Sequence, residues 1–216
     1  MAKALGQLAA ATALFLGTHS LLASRQAKGA AARLLGERRR NGFYRLFYHA
    51  FALLSFGALG LYAARLPDRE LYRASGPVVG LLRLGQAVSL LQMVGGVREI
   101  GFRRFAGFHS LAALLRGDAE VPDAPEAQGP GADDEGRLRT GGPFRCSRHA
   151  LNFWILPLFW LMPRMTARLL LFNALLTLYT FPASRHEAAR LRVAYGEEYA
   201  AYEAGGPPFL IPWPKL

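Results

Sequence analysis

Three side chains in the C-terminal third have types suited to chemistry: Arg148 and His149 in GGPFRCSRHALNF, and Glu187 at the head of HEAARLRVAYGEEYAAY. A carboxylate can hold an ammonium group, and an Arg-His pair can donate charge-assisted hydrogen bonds to an anion. Two short apolar segments separated by MPRMT lie between them, so a hairpin would return Glu187 to the level of the Arg-His pair. The alternative reading of the same residues is structural. Arg148 and His149 are then snorkelling interface residues, and Glu187 with Arg190 an ordinary intrahelical pair.

The elements that must position these residues are expected to be helical and membrane-embedded. The 216 residues are 52% hydrophobic and 19% charged, and the apolar residues are gathered into blocks. About 20 residues at about 1.5 Å rise cross a hydrocarbon core of about 30 Å. Ala4 to Ala23 and Phe43 to Ala64 qualify, and Val78 to Val97 is a weaker third. A cleaved signal peptide is the competing reading of the first block, but the run is long for an h-region and no small-x-small site ends it.

The net charge of +11 does not require nucleic acid as a partner, because the arginines cluster in loops beside apolar blocks, as positive-inside bias explains. Cys146 stands alone, which excludes an internal disulfide framework and a cysteine-based zinc site. No metal is expected.

In chain order, the basic loop from Arg25 to Arg40 reads as cytoplasmic, placing the N-terminus outside. His19 reads as an interfacial hydrogen-bonding residue. Tyr44, Phe47 and Tyr48 read as an aromatic belt. Gly95 and Gly96 permit close helix approach. Arg98 to Arg116 suits a helix lying in the interface. Residues 117–136, rich in Asp, Glu, Pro, Gly and Ala, read as a flexible acidic cytoplasmic linker.

Leu151 to Met162 is too short to cross upright and Pro163 breaks it, so it pairs with Thr166 to Phe181 as a short helical hairpin. Glu187, Leu191, Tyr195, Tyr199 and Tyr202 then share one face of a C-terminal helix, a stripe that is usually packing. PPFLIPWP ends the chain as an extended interfacial tail.

The expected fold is therefore all-α: an integral, multi-pass membrane protein with about five transmembrane segments, the last two a short hairpin, plus a cytoplasmic C-terminal helix. Its N-terminus lies outside and its C-terminus in the cytoplasm. The organisation is 1–116 for the N-terminal spans and interfacial helix, 117–136 for the linker, and 137–216 for the functional hairpin and last helix. The lipid bilayer is an expected partner.

GGPFRCSRHALNFW, followed after the hairpin by HEAARLRVAYGEEYAAYEAGGPPFLIP, resembles the membrane methyltransferase superfamily that includes isoprenylcysteine carboxyl methyltransferases and phospholipid N-methyltransferases. The resemblance covers roughly the last 80 residues, and its pattern is Arg-His-Pro, a hydrophobic hairpin, a Glu pair and a Pro-containing tail. THSLLASRQAKGAAARLLGERR is similar to the His-Ser entry of NnrU-like proteins.

The resemblance implies an S-adenosylmethionine site. Arg137, Leu138 and Arg139 would lie along the cofactor, Phe144 would take the aromatic position, His149, Ala150, Leu151 and Asn152 would line the site, and Glu187 would take the acidic position. It implies a methyltransferase acting on a small or lipid-soluble acceptor at the cytoplasmic face, with no catalytic residue assigned. The chain departs from the pattern at Ala150, where Pro is usual, at Asn152 for Tyr, and at Ala188 for the second Glu. Ala183 replaces an Arg thought to face the substrate in the isoprenylcysteine enzymes, which makes prenylated cysteine a poor substrate. The rival function is a non-catalytic, NnrU-like membrane accessory protein. A small transporter is disfavoured because the ionisable residues lie at the expected surfaces.

Overall fold

A computed structural model describes residues 1–123, 125–133 and 135–213. Ala124 and Asp134 of the expected linker, and Pro214 of the tail with the two residues after it, lie outside the described residues. The first helix, α1 (Ala2–Ala23), stops at Ser24, whose extended backbone and hydroxyl cap the next helix through Ala27 N–H at 3.2 Å. That helix, α2 (Arg25–Leu35), ends at Gly36 with φ of 79°, and α3 (Glu37–Arg65) follows at once. A short strand β1 (Glu70–Arg73) leads to α4 (Pro77–Ile100), which has Pro in its first turn.

Gly101 and Gly107, at φ of 88° and 90°, divide the expected interfacial helix into α5 (Phe102–Ala106) and α6 (Phe108–Arg116). A 3₁₀ turn at Gly142–Arg145 precedes α7 (Ala150–Trp160), and β2 (Arg164–Thr166) pairs antiparallel with β1. The last helix, α8 (Ala167–Gly205), is capped by Thr166, carries Pro182 inside it and breaks at Gly196, where φ is 49°. In the bundle, α4 packs on α7, α1 on α8, and α3 on α6.

The hairpin followed by a separate C-terminal helix is corrected, because its second arm and that helix are one. Pro182 does not end α8. An interior Pro costs about 3 kcal/mol, but α8 packs on both α1 and α7, and such tertiary contact overrides the local preference. Thr177 and Thr180 add hydroxyl bonds to the carbonyls of Asn173 and Leu176, each at 2.7 Å.

The five-segment transmembrane expectation is corrected as well. Among the described residues three helices, α1, α3 and α4, are long and apolar enough to cross a membrane by length and composition, and the most apolar windows of the three are 17%, 11% and 6% buried within the protein. The fourth expected crossing is an 11-residue helix, and the fifth is part of the 39-residue α8. The multi-pass membrane assignment, the bilayer as partner and the outside-to-cytoplasm orientation, read from apolar blocks and loop charge, are corrected with it, because the candidate helices are so little buried. With that count gone and the long helices sparsely packed, the described residues form a bundle of eight α-helices with one two-stranded sheet and no orientation assigned.

Described residues of segment 117–136 make contacts that its own composition does not reveal. Val121 and Ala127 are buried, Asn41 donates to the Val121 carbonyl at 2.8 Å, and Glu126 pairs with Lys28 at 2.7 Å. Basic residues of α2 and α3 supply the charge partners that the acidic segment lacks within itself.

Candidate functional site

Two walls of the cavity are faces of α3 and α8. From α3, Asn41, Tyr44, Arg45 and Tyr48 line it, a three-, one- and three-residue stepping that keeps one face inward. From α8 come Tyr179, Ala183, His186, Glu187 and Arg190. The end of α1 gives His19 and Ser20, α2 gives Lys28, α7 gives Asn152, and the strap of residues 123–128 gives Asp123 and Glu126. The cavity's volume is about 100 Å³, and about 830 Å³ of empty space is counted when its open mouth is included.

Glu187 is the chemical centre of the wall. It is only 4% exposed, and its Oε2 accepts from His149 Nδ1 at 3.0 Å and from Asn152 Nδ2 at 2.5 Å. Asn152 also donates to Ser184 Oγ at 3.0 Å, so its amide is fixed from both sides. The other oxygen, Oε1, is buried without a hydrogen-bond partner. Burial alone would raise the Glu187 carboxyl, but the bond and attraction of His149, the Arg190 charge and the Asn152 bond outweigh it and hold the group below its ordinary value. An ionised, half-satisfied carboxylate facing a cavity is suited to an ammonium or other cationic group.

Across the cavity the hydroxyl of Tyr48 lies 2.6 Å from His19 Nε2, and that of Tyr179 lies 2.6 Å from Ser20. Burial pushes Lys28 down despite its Glu126 partner, and burial with the Arg190 charge lowers His186. Arg190 Nη1 donates to the carbonyls of Ala23 and Glu126 at 3.0 and 2.9 Å. Among the described residues it forms no ion pair with Glu187, so the intrahelical pair is replaced by a bridge from α8 to α1 and the strap.

The structure brings together three of the nine residues expected at a cofactor: His149, Asn152 and Glu187. Asn152 and Glu187 line the cavity, and His149 stands behind Glu187 with its ring 4.7 Å from that of Phe209. Phe144, Ala150 and Leu151 are sealed in an apolar cluster with Ile100. Arg137 is tied at the surface to Asp133 and Glu135, Leu138 packs near Ala188 and Leu191, and the Arg139 N–H donates to the Gly131 carbonyl. None of these last six lines the cavity. Arg148 turns the other way, onto Glu203 at 2.7 Å and over the Phe209 ring.

Sequence reasoning missed Lys28, Asn41, Arg45, Asp123 and Glu126 as site residues, and took Tyr44 and Tyr48 for an interface belt. The common helix face of residues 41, 44, 45 and 48 was the available signal; nothing local marked the strap. A site for S-adenosylmethionine fits the chemistry present. Glu187 Oε1 lacks a partner, buried donors on Arg45 and Arg190 are also unmatched, and Tyr44 and Tyr48 offer aromatic surface. Compared with family models, with curated proteins and with solved structures, the chain matches none.

Proposed function

We propose that this protein binds S-adenosylmethionine in the cavity between α1, α3 and α8 and passes its methyl group to a small acceptor. The observation that carries this reading is Glu187, which lines the cavity and keeps one buried oxygen free of hydrogen bonds while His149 and Asn152 hold the other. Glu187 would take the ammonium of the cofactor's amino-acid tail, and the tyrosine faces would support its purine or sulfonium. The cofactor would supply an electrophilic methyl group. The protein's part is to position the acceptor in line with it and exclude water.

Calorimetric titration of the purified protein with S-adenosylmethionine and S-adenosylhomocysteine tests the reading. The expected result is saturable binding to the wild type that weakens at least about tenfold, or about 1.4 kcal/mol, in Glu187→Gln of unchanged helicity. Folded wild type that binds neither compound, or a Glu187→Gln variant that binds equally well, overturns it.

One observation favours a second reading, ligand binding without chemistry. Phe144, Ala150 and Leu151 are sealed in the core and Arg137 to Arg139 lie outside the cavity, so the part of the motif before Asn152 builds structure and not the pocket. Incubation with methyl-labelled S-adenosylmethionine and a panel of thiol, amine and carboxylate acceptors separates the two. Label transfer supports the enzyme, and tight binding with no transfer supports the accessory role.

A further inference from the structure

We infer that the same cavity contains an anion subsite, made by Lys28, Arg45 and Arg190, which the Glu126 carboxylate fills in this structure and which a ligand's carboxylate or phosphate takes by displacing it. This deepens the proposed function, since it concerns the same cavity, but it rests on cations that the methyltransferase resemblance does not include.

The charges around Glu126 do not balance. Of the cavity's carboxylates, Asp123 is engaged by Arg40 at 2.6 Å and Glu187 by His149 and Asn152. Among the described residues Glu126 is the carboxylate within ion-pair distance of Lys28 and Arg190, and Arg45 has no ion pair. Glu126 satisfies them poorly: Oε2 takes one bond from Lys28 at 2.7 Å, while Oε1 lies 3.8 Å from Arg190 Nη1 and accepts no hydrogen bond.

Donors are left over on the other side. Arg45 is 8% exposed, and its Nη2 is buried with no hydrogen-bond partner. Nε of Arg190 is in the same condition. Buried guanidinium donors without acceptors are costly, and a planar or tetrahedral oxyanion supplies several acceptors at once. The strap that carries Glu126 is held largely through backbone carbonyls of Pro125, Glu126 and Val121 accepting from Arg45, Arg190, Lys28 and Asn41. The carboxylate can therefore leave while most of those contacts persist.

The test uses inorganic phosphate as the probe, titrated calorimetrically at constant ionic strength set with chloride. Glu126→Gln removes the internal anion and keeps its shape. Phosphate is expected to bind this variant at least about tenfold tighter than wild type, and Lys28→Gln added to it is expected to erase the gain. Equal phosphate affinity in wild type and folded Glu126→Gln overturns the subsite. Should Glu126→Gln not fold, amide exchange of the wild type decides: phosphate raises exchange over residues 121–128 saturably if the strap carboxylate is displaced, and no change overturns the idea. No cofactor enters these measurements, so they stand or fall apart from S-adenosylmethionine binding. Repeating the titration with saturating S-adenosylmethionine assigns the source. Competition supports the cofactor's own carboxylate as the natural occupant, and simultaneous binding supports an anionic acceptor.

Discussion

His149 and Glu187 meet between the start of α7 and the middle of α8, with His149 Nδ1 donating to Glu187 Oε2 at 3.0 Å and side chains only 0% and 5% exposed. This contact locks the residue most able to hold a ligand to the element that carries the Arg-His motif. Removing Glu187 leaves His149 buried without a partner, and removing His149 leaves the buried Glu187 carboxylate with the Asn152 bond alone, a cost of about 3–5 kcal/mol in each case. His149→Ala and Glu187→Ala are each expected to lower urea stability by that amount. The double variant is expected to fall short of the sum by about 0.5–3 kcal/mol. Strict additivity would show that the two do not act as a pair.

Acid sensitivity follows from the same carboxylate. Glu187 titrates below its ordinary value of 4.5 when folded, because His149, Arg190 and Asn152 favour its ionised form over the opposing effect of burial. A depressed carboxyl stabilises the fold above its unfolded pKa, and that stability is lost as pH falls through the lower, folded value. Thermal melts of wild type are expected to fall more steeply than those of Glu187→Gln as pH drops below 4.5, because the variant has no carboxyl to titrate. Parallel profiles for the two proteins would contradict this assignment.

The helix-packing glycines make a contrast in sign. A Cβ on Gly96 of α4 would sit 2.9 Å from Leu151 Cδ2, so the buried Leu151 side chain would have to give way, whereas a Cβ on Gly29 of α2 meets nothing nearer than Arg33 Nη1 at 3.9 Å. Gly96→Val is expected to destabilise by about 1–3 kcal/mol through overpacking. Gly29→Ala is expected to stabilise by about 0.5–1 kcal/mol through helix propensity. Thermal unfolding of the two variants reads both directions.

Where local pattern decides structure, the sequence was legible. The long helices appear within a few residues of the apolar blocks that announce them, and Gly96 does face a neighbouring helix closely. The stripe from Glu187 to Tyr202 is largely packing, with Leu191 and Tyr199 fully buried. What the pattern could not show was what each apolar block packs against, and five crossings were read where three helices have the length and composition. The site was half visible for the same reason. Glu187, Asn152 and His149 are marked by an ordered motif, but Arg45, Lys28 and Glu126 join them only through pairing across 64 to 98 residues of chain, which no local spacing encodes. Phe144 and Leu151 belong to the motif yet serve the core, since their apolar surface is better satisfied against Ile100 than in a polar cavity.

The closing contact of the fold offers a last test. Tyr202, beyond the break at Gly196, donates its hydroxyl to the Phe144 carbonyl at 2.6 Å, and the tail continues the closure with Ser147 bonded to the Leu210 carbonyl and the Trp213 N–H to that of Cys146. Together these bonds fasten the end of the chain over the turn that leads into His149. Tyr202→Phe keeps the ring and removes only the hydroxyl, so it is expected to cost about 1–3 kcal/mol, the penalty for a carbonyl left without its donor. Because His149 is set by that turn, the variant is also expected to weaken binding at Glu187, which accepts from the imidazole Nδ1. Loss of stability with ligand affinity unchanged would show that the tail fastens the fold without aligning the site.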